Sequence, residues 1–224
     1  MPVQRGYHDS CAIARGLDLV GERWAMLVVR ELLLGPKRFT YLRRGLPAAS
    51  PNALTDRLRE LGEIGVVRRR KQRAPAAGWV YELTDWGREL EPVLVTLGTW
   101  AIRSSLVDGK GHLGVDSIML EIRSYFRPRT SAGKPATVEI RLPSDSFGVW
   151  LDGTQADARH ELPADPDAVI ATDAHVLADV LGDPKRAREA LDEGTLTITG
   201  NHRVAVRLIS GVVLPAVAPA QARR

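Results

Sequence analysis

Residues 37–73 read KRFTYLRRGLPAASPNALTDRLRELGEIGVVRRRKQR, and the middle of that run decides the fold. Ser50-Pro51 is a helix start: serine can cap free backbone N–H groups, and proline at the first helical position has no N–H to satisfy. Leu54, Leu58 and Leu61 then recur at helical spacing as one apolar stripe. Gly62 and Gly65 weaken the helix and predict its end near Glu63. The opposite face carries Asn52, Thr55, Asp56 and Arg59, with Arg57 near its edge. A shorter helical piece, Phe39 to Arg44, precedes it and closes at Gly45. A strand-like run, Val66 to Lys71, follows it.

Two helices joined by a short turn, then a strand pair with a charged tip, make a winged helix-turn-helix. A second helix of this size suits a DNA major groove about 12 Å wide. Residues 37–73 hold 11 basic and 3 acidic side chains, in a chain whose total is only +4. A solvated basic surface on a small helical domain would show the same charge count, but not the order helix, turn, capped helix, basic wing. Asn52, Thr55, Arg57 and Arg59 are the expected base contacts. Arg43, Arg44 and Ser50, with Arg69, Arg70, Lys71 and Arg73 of the wing, are expected on the DNA backbone or in a minor groove.

Two domains fit in 224 residues. Residues 1–103 carry 17 basic and 11 acidic side chains, net +6; residues 104–224 carry 14 and 16, net −2. The polyanion-binding charge therefore belongs to the first half, and the second has another task. Neither an apolar signal region nor a run of roughly 18 apolar residues is present, so no membrane contact and a cytoplasmic location are expected. One cysteine excludes an internal disulfide and a Cys-rich zinc knuckle.

Before the decisive stretch, Cys11 to Val20 is a short helix with Ser10 as a cap. Cys11 reads either as a small buried side chain or as a reactive thiol, which would need exposure and a lowered pKa. Glu22 to Leu34 is an apolar helix with Trp24, Leu27, Val28 and Leu32 as expected core. After it, wing strands are expected at Val66 to Lys71 and Trp79 to Leu83. Thr84 caps a further helical run with Leu90, Val93, Leu94, Leu97 and Trp100 on an apolar face, and Pro92 predicts a kink or restart. That face suits either packing on the second domain or, the favoured reading, a homodimer contact, since a symmetric dimer doubles the base contacts on a palindrome.

Residues 104–114 read as a linker, giving domains over 1–110 and 115–214. The second domain predicts a helix at Ser117–Phe126, strands at Ala136–Leu142, Phe147–Leu151, Gln155–Leu162 and Asp167–Thr172, helices at Ala174–Leu181 and Pro184–Leu191, a strand at Thr195–Thr199 and a helix at His202–Ile209. The fold class is thus a mainly α winged helix-turn-helix followed by an α+β domain. No Gly-rich phosphate loop or HExxH occurs, the five histidines lack ligand spacing, and Asp165, Asp167 and Asp173 read as a solvated loop. Neither an enzyme, nor a cofactor, nor a metal site is expected.

The segments CAIARGLDLVGERWAMLVVRELLLGPKRFTYLRRGL, SPNALTDRLRELGEIGVVRRR and YELTDWGRELEPVLVTLGTWA closely resemble the HxlR-type winged-helix regulators, relatives of the MarR group. In that family a cysteine precedes the first helix, a Trp opens the second and a TxxGxxL segment follows the wing, here Cys11, Trp24 and Thr84 to Leu90. The resemblance implies a dimeric regulator that places Pro51–Glu63 in the major groove of duplex DNA. It also makes Cys11 a candidate redox sensor. Residues 136–209 resemble, more loosely, the sterol-carrier fold, strongest at ADVLGDPKRAREALDEGTLTITGNHRVAVRLI. That implies a small apolar ligand in a cavity, with Val149, Trp150, Leu177, Leu181 and Leu196 as candidate lining; a filled core is the alternative. Repression, by steric exclusion of polymerase, is the expected output. The competing function is a lipid carrier whose winged domain mediates protein contacts.

Overall fold

The computed structural model describes residues 6–72, 78–104, 112–127 and 133–216. Arg73 with most of the expected wing tip, the centre of the expected linker, and the ends of the arm and tail lie outside the described residues. The chain divides into two compact units, Met1–Gly98 and Thr99–Arg224.

The first unit begins with α1 (Ala12–Val20) and α2 (Ala25–Leu32). Cys11, not Ser10, holds the cap position of α1. Helix α2 starts later than expected because Trp24 adopts φ +76°, a left-handed conformation rare for a bulky side chain. Its ring is half-buried beneath the Arg23 guanidinium at 4.9 Å, so Trp24 is not core; Leu27 is half-buried too. Val28 and Leu32 are fully buried as expected. Helix α3 (Phe39–Gly45) leads through a turn to α4 (Pro51–Glu63). The Ser50 hydroxyl accepts the Ala53 N–H at 3.2 Å, with Pro51 in the first turn. Leu54, Leu58 and Leu61 are at most 3% exposed. Burying each contributes about 1.5–3 kcal/mol, enough to fix the rotation of the helix.

A buried charge network ties α2 to the start of α3. Glu31 Oε2 accepts from Lys37 Nζ at 2.9 Å, and Glu31 Oε1 accepts from Arg30 Nη2 at 2.8 Å. Glu31 is 1% and Lys37 8% exposed. The carboxylate lies against Gly45, in the space a β-carbon would occupy, so the end of α3 comes this close only with glycine there.

Strands β1 (Val67–Gln72) and β2 (Gly78–Leu83) form the antiparallel wing, with Arg69 opposite Tyr81 and Lys71 opposite Trp79. Lys37 and Tyr81 exchange both backbone hydrogen bonds, at 2.9 and 2.8 Å, and anchor the wing to the start of α3. After the wing come α5 (Asp85–Arg88) and α6 (Glu91–Ala101). The TxxGxxL motif has a physical cause. Thr84 Oγ1 accepts the Gly87 N–H at 3.0 Å and donates to Gly65 O at 2.7 Å, while a β-carbon at Gly87 would collide with Val66 O. Pro92 sits in the first turn of α6, so the predicted interruption is a restart.

The second unit contains α7 (Val115–Tyr125), β3 (Ala136–Arg141), β4 (Ser146–Leu151), β5 (Ala156–Arg159), β6 (Ala168–Thr172), α8 (Ala174–Val180), α9 (Pro184–Asp192), β7 (Leu196–Gly200) and α10 (His202–Gly211). Its sheet runs β5-β4-β3-β6-β7, with only β3 and β6 parallel. Helix α10 packs on β3, β6 and β7, and α7 on β5. Asp173, Asp183 and Asn201 cap α8, α9 and α10 through their side chains. The core gathers Ile118, Ile122, Phe126, Ile140, Phe147 and Leu208. This is an α+β domain. The expected strand Gln155–Leu162 is shorter than read: β5 ends at Arg159, its last ladder partner is Gly148, and Gly148 N then donates to Glu161 O outside the strand.

Val149, Leu177, Leu181 and Leu196 are buried in this unit. Trp150 differs: adjacent strand residues point to opposite faces, so it cannot line a cavity with Val149. It lies half-buried under the Arg159 guanidinium, 5.1 Å from the ring centre. Among the described residues no helix is long and apolar enough to cross a membrane.

Candidate nucleic-acid interface

Helix α4 turns its polar side outward. At about 100° per residue, Asn52 and Arg59 fall about 20° apart, opposite the leucine stripe. Asn52, Thr55 and Arg59 are all exposed. Thr55 Oγ1 donates to Pro51 O at 2.8 Å. Arg59 pairs along its own helix with Asp56 at 3.1 Å and with Glu63 at 3.9 Å, all three side chains well exposed. Exposed pairs of this kind hold by about 0.2–1 kcal/mol, so a base edge can draw Arg59 away.

Arg57 does not join that face. Its side chain is only 15% exposed; it is hydrogen-bonded to Glu60 and lies 3.8 Å from Glu22. The helical repeat explains this, because Arg57 sits beside the leucine stripe rather than opposite it. It is a strut between α4 and the segment before α2.

At the N-terminus of α4 lies an open hollow of about 530 Å³, lined by Thr40, Arg43, Arg44, Ser50 and Pro51, among others. Arg43 and Arg44 are exposed in the last turn of α3, with the Arg44 guanidinium 5.2 Å from the Tyr41 ring. Two cations, two hydroxyls and a helix N-terminus line one concavity, a donor set that suits an anion. Ser50 spends acceptor capacity on its cap and keeps its O–H proton for an outside partner. Thr40 was missed in the sequence; only the closeness of α3 to the cap of α4 adds it.

The wing divides its cations by strand alternation. Arg68 and Arg70 share one face with Glu82, donating from Nε to Oε1 at 2.7 Å and to Oε2 at 2.6 Å. Burial of Glu82 works to raise its pKa, but the Arg70 and Arg68 hydrogen bonds and charges outweigh that and hold it below the ordinary carboxylate range. Arg70, expected on DNA, is therefore partly neutralised. Arg69 and Lys71 are exposed on the other face.

Helices α1 and α6 have no buried residues. Val93, Leu97 and Trp100 are exposed, Trp100 at 73%, while Leu90 and Leu94 are half-buried. Ile13, Leu17 and Leu19 of α1 are exposed as well. Ile13 and Leu17 stand at i, i+4 spacing, but a first helix reads equally well as core. An apolar cleft of about 230 Å³ lies between α1 and α5, lined by Leu19, Val20, Val66, Trp86 and Leu90 with Glu89. Cys11 is exposed at the start of α1. Backbone N–H groups of Ile13 and then Ala14 lower its thiol pKa from the ordinary value, against a smaller opposing effect of burial.

Residues 19–106 match the model of the HxlR-like helix-turn-helix family. The chain is 34% identical over 92 residues to the uncharacterised HTH-type transcriptional regulator YdeP of Bacillus subtilis, covering 41% of this chain and 72% of YdeP. It is 39% identical over 89 residues to the uncharacterised HTH-type transcriptional regulator Rv3095 of Mycobacterium tuberculosis, covering 40% of this chain and 56% of that protein. Among solved structures, the reduced form of the transcriptional regulator YodB from B. subtilis aligns at 29% identity and a TM-score of 0.39, over 44% of this chain and 97% of YodB.

Proposed function

The chain belongs to the HxlR-like helix-turn-helix family, and from that premise we propose that it is a sequence-specific DNA-binding transcription regulator acting as a homodimer. The observation that carries this reading is the outward face of α4, with Asn52, Thr55 and Arg59 exposed beside the hollow of Arg43, Arg44 and Ser50. The hollow seats a backbone phosphate and sets the register; the helix face then reads base edges. Arg69 and Lys71 of the wing add salt-dependent affinity. The apolar, unburied α6 with α1 is the surface a second copy would cover, and the cleft beside Trp86 gives partner side chains a place to seat. Two such units fit a palindromic operator, and a dimer on a promoter blocks polymerase, so repression is the simplest output. The α+β unit is then a sterol-carrier-like module that supports the dimer or takes an effector.

Selection of bound sequences from random duplexes, followed by titration of two variants at one salt concentration, tests this. Arg59→Ala should weaken the selected site about tenfold, from the 1–3 kcal/mol of a bidentate base contact, and leave random duplex nearly untouched. Lys71→Ala should weaken both alike and lower the salt slope by about one. Equal losses on both duplexes for Arg59→Ala would reject base reading by α4.

The exposure and lowered pKa of Cys11 favour a second element, a thiol signal relayed through α1. Cys11→Ser should keep basal affinity for the selected duplex and abolish any change on treatment with diamide. An unchanged oxidant response in that variant would remove Cys11 from the signal.

A further inference from the structure

Among the described cations of the wing, Arg69 is set apart. Its neighbours in sequence, Arg68 and Arg70, are both bound to Glu82. The Arg69 side chain makes no hydrogen bond or ion pair among the described residues. Its guanidinium instead lies 4.5 Å from the centre of the Trp79 ring and 5.9 Å from that of Tyr81. Register places all three on one face of the hairpin together with Lys71. Trp79 is 51% exposed, so the stacked pair stands at the protein surface where a partner can reach it.

We propose that Trp79 is a positioning residue for DNA recognition: its ring holds Arg69 flat and extended, so that one pre-set arginine enters the minor groove beside the site read by α4. This rests on the DNA-binding reading above. Stacking occupies the face of the guanidinium and leaves its N–H edge free, and that edge is what reaches base acceptors on a groove floor. A narrow A·T-rich minor groove concentrates negative potential and attracts arginine without a major-groove code. Immobilising the long side chain beforehand removes part of the ordering cost of binding. Arg68 and Arg70 lie on the opposite face of the hairpin, away from Trp79 and Tyr81, and Glu82 accepts from the Nε of each.

The test is a double-mutant cycle on the full chain. Two labelled duplexes share the selected core and differ only in A·T-rich or G·C-rich flanks. Wild type should prefer A·T flanks. Trp79→Ala should lose about two- to fivefold on the A·T-flanked duplex, the worth of an exposed cation–π contact, with its salt slope unchanged because the charge remains. Arg69→Ala should lose the preference and about one unit of slope. In the Arg69→Ala background, Trp79→Ala should cost nothing more. Trp79→Phe should keep most of the affinity, whereas Trp79→Leu, which keeps apolar cover without a π face, should behave like Trp79→Ala. Additive losses, no loss in Trp79→Ala, or full activity in Trp79→Leu would overturn the inference while leaving the regulator reading intact. A wild type that binds no duplex at all would remove both.

Discussion

Glu31→Ala is expected to destabilise the winged unit by about 3–5 kcal/mol, the range for removing one member of a buried ion pair. The buried ion pair lost is the one with Lys37, 8% exposed and 2.9 Å from Glu31 Oε2. Arg30 is also freed, but its side chain is 24% exposed and water can take over. The loss should reach function, because Lys37 joins the wing through its backbone exchange with Tyr81 and Glu31 packs on Gly45 at the end of α3. Urea unfolding followed by tryptophan emission reports mainly on this part of the chain, since three of the five tryptophans lie in it. A replacement of both partners by apolar residues, Glu31→Leu with Lys37→Met, should recover most of the stability, because a well-packed apolar pair escapes the desolvation penalty. A single-variant loss below about 1 kcal/mol would mean that the network holds α2 and α3 together no better than a surface pair does.

Placing charge on α6 should have the largest effect on binding. Leu97→Glu with Trp100→Glu alters two side chains that are 50% and 73% exposed, so the fold of one chain should survive. Two carboxylates on each copy would meet their symmetry mates across a twofold interface and repel. Sedimentation should show monomers, and affinity for the selected palindrome should fall by about 10²-fold or more, because the second half-site is no longer reached at high effective concentration. Binding to a single half-site should change little. Sedimentation as a dimer, or wild-type affinity from a monomer, would exclude α6 as the subunit contact.

The decisive helix was legible residue by residue. Ser50-Pro51 fixed its start and the glycines its end through interactions local in the chain, and the Leu54–Leu58–Leu61 spacing marked the side it buries. The same locality made the elements of the second unit readable to within a few residues: Asp173, Asp183 and Asn201 announce helices, and turns bound the strands. The start of α2 was not readable, because the left-handed Trp24 has no local cause in its side chain.

Sequence by itself determined the helix-turn-helix, the basic wing and the excess of positive charge in the first half. Only the tertiary structure decided which of those charges remain available. Arg57 is consumed by Glu60 and Glu22, Arg68 and Arg70 by Glu82, and Lys37 by Glu31, whereas Arg59 and Arg69 stay addressable. The cause is register and burial: strand pairing sets a carboxylate between two arginines that lie fourteen and twelve residues before it, and helical phase puts one arginine of α4 against the core and another against solvent.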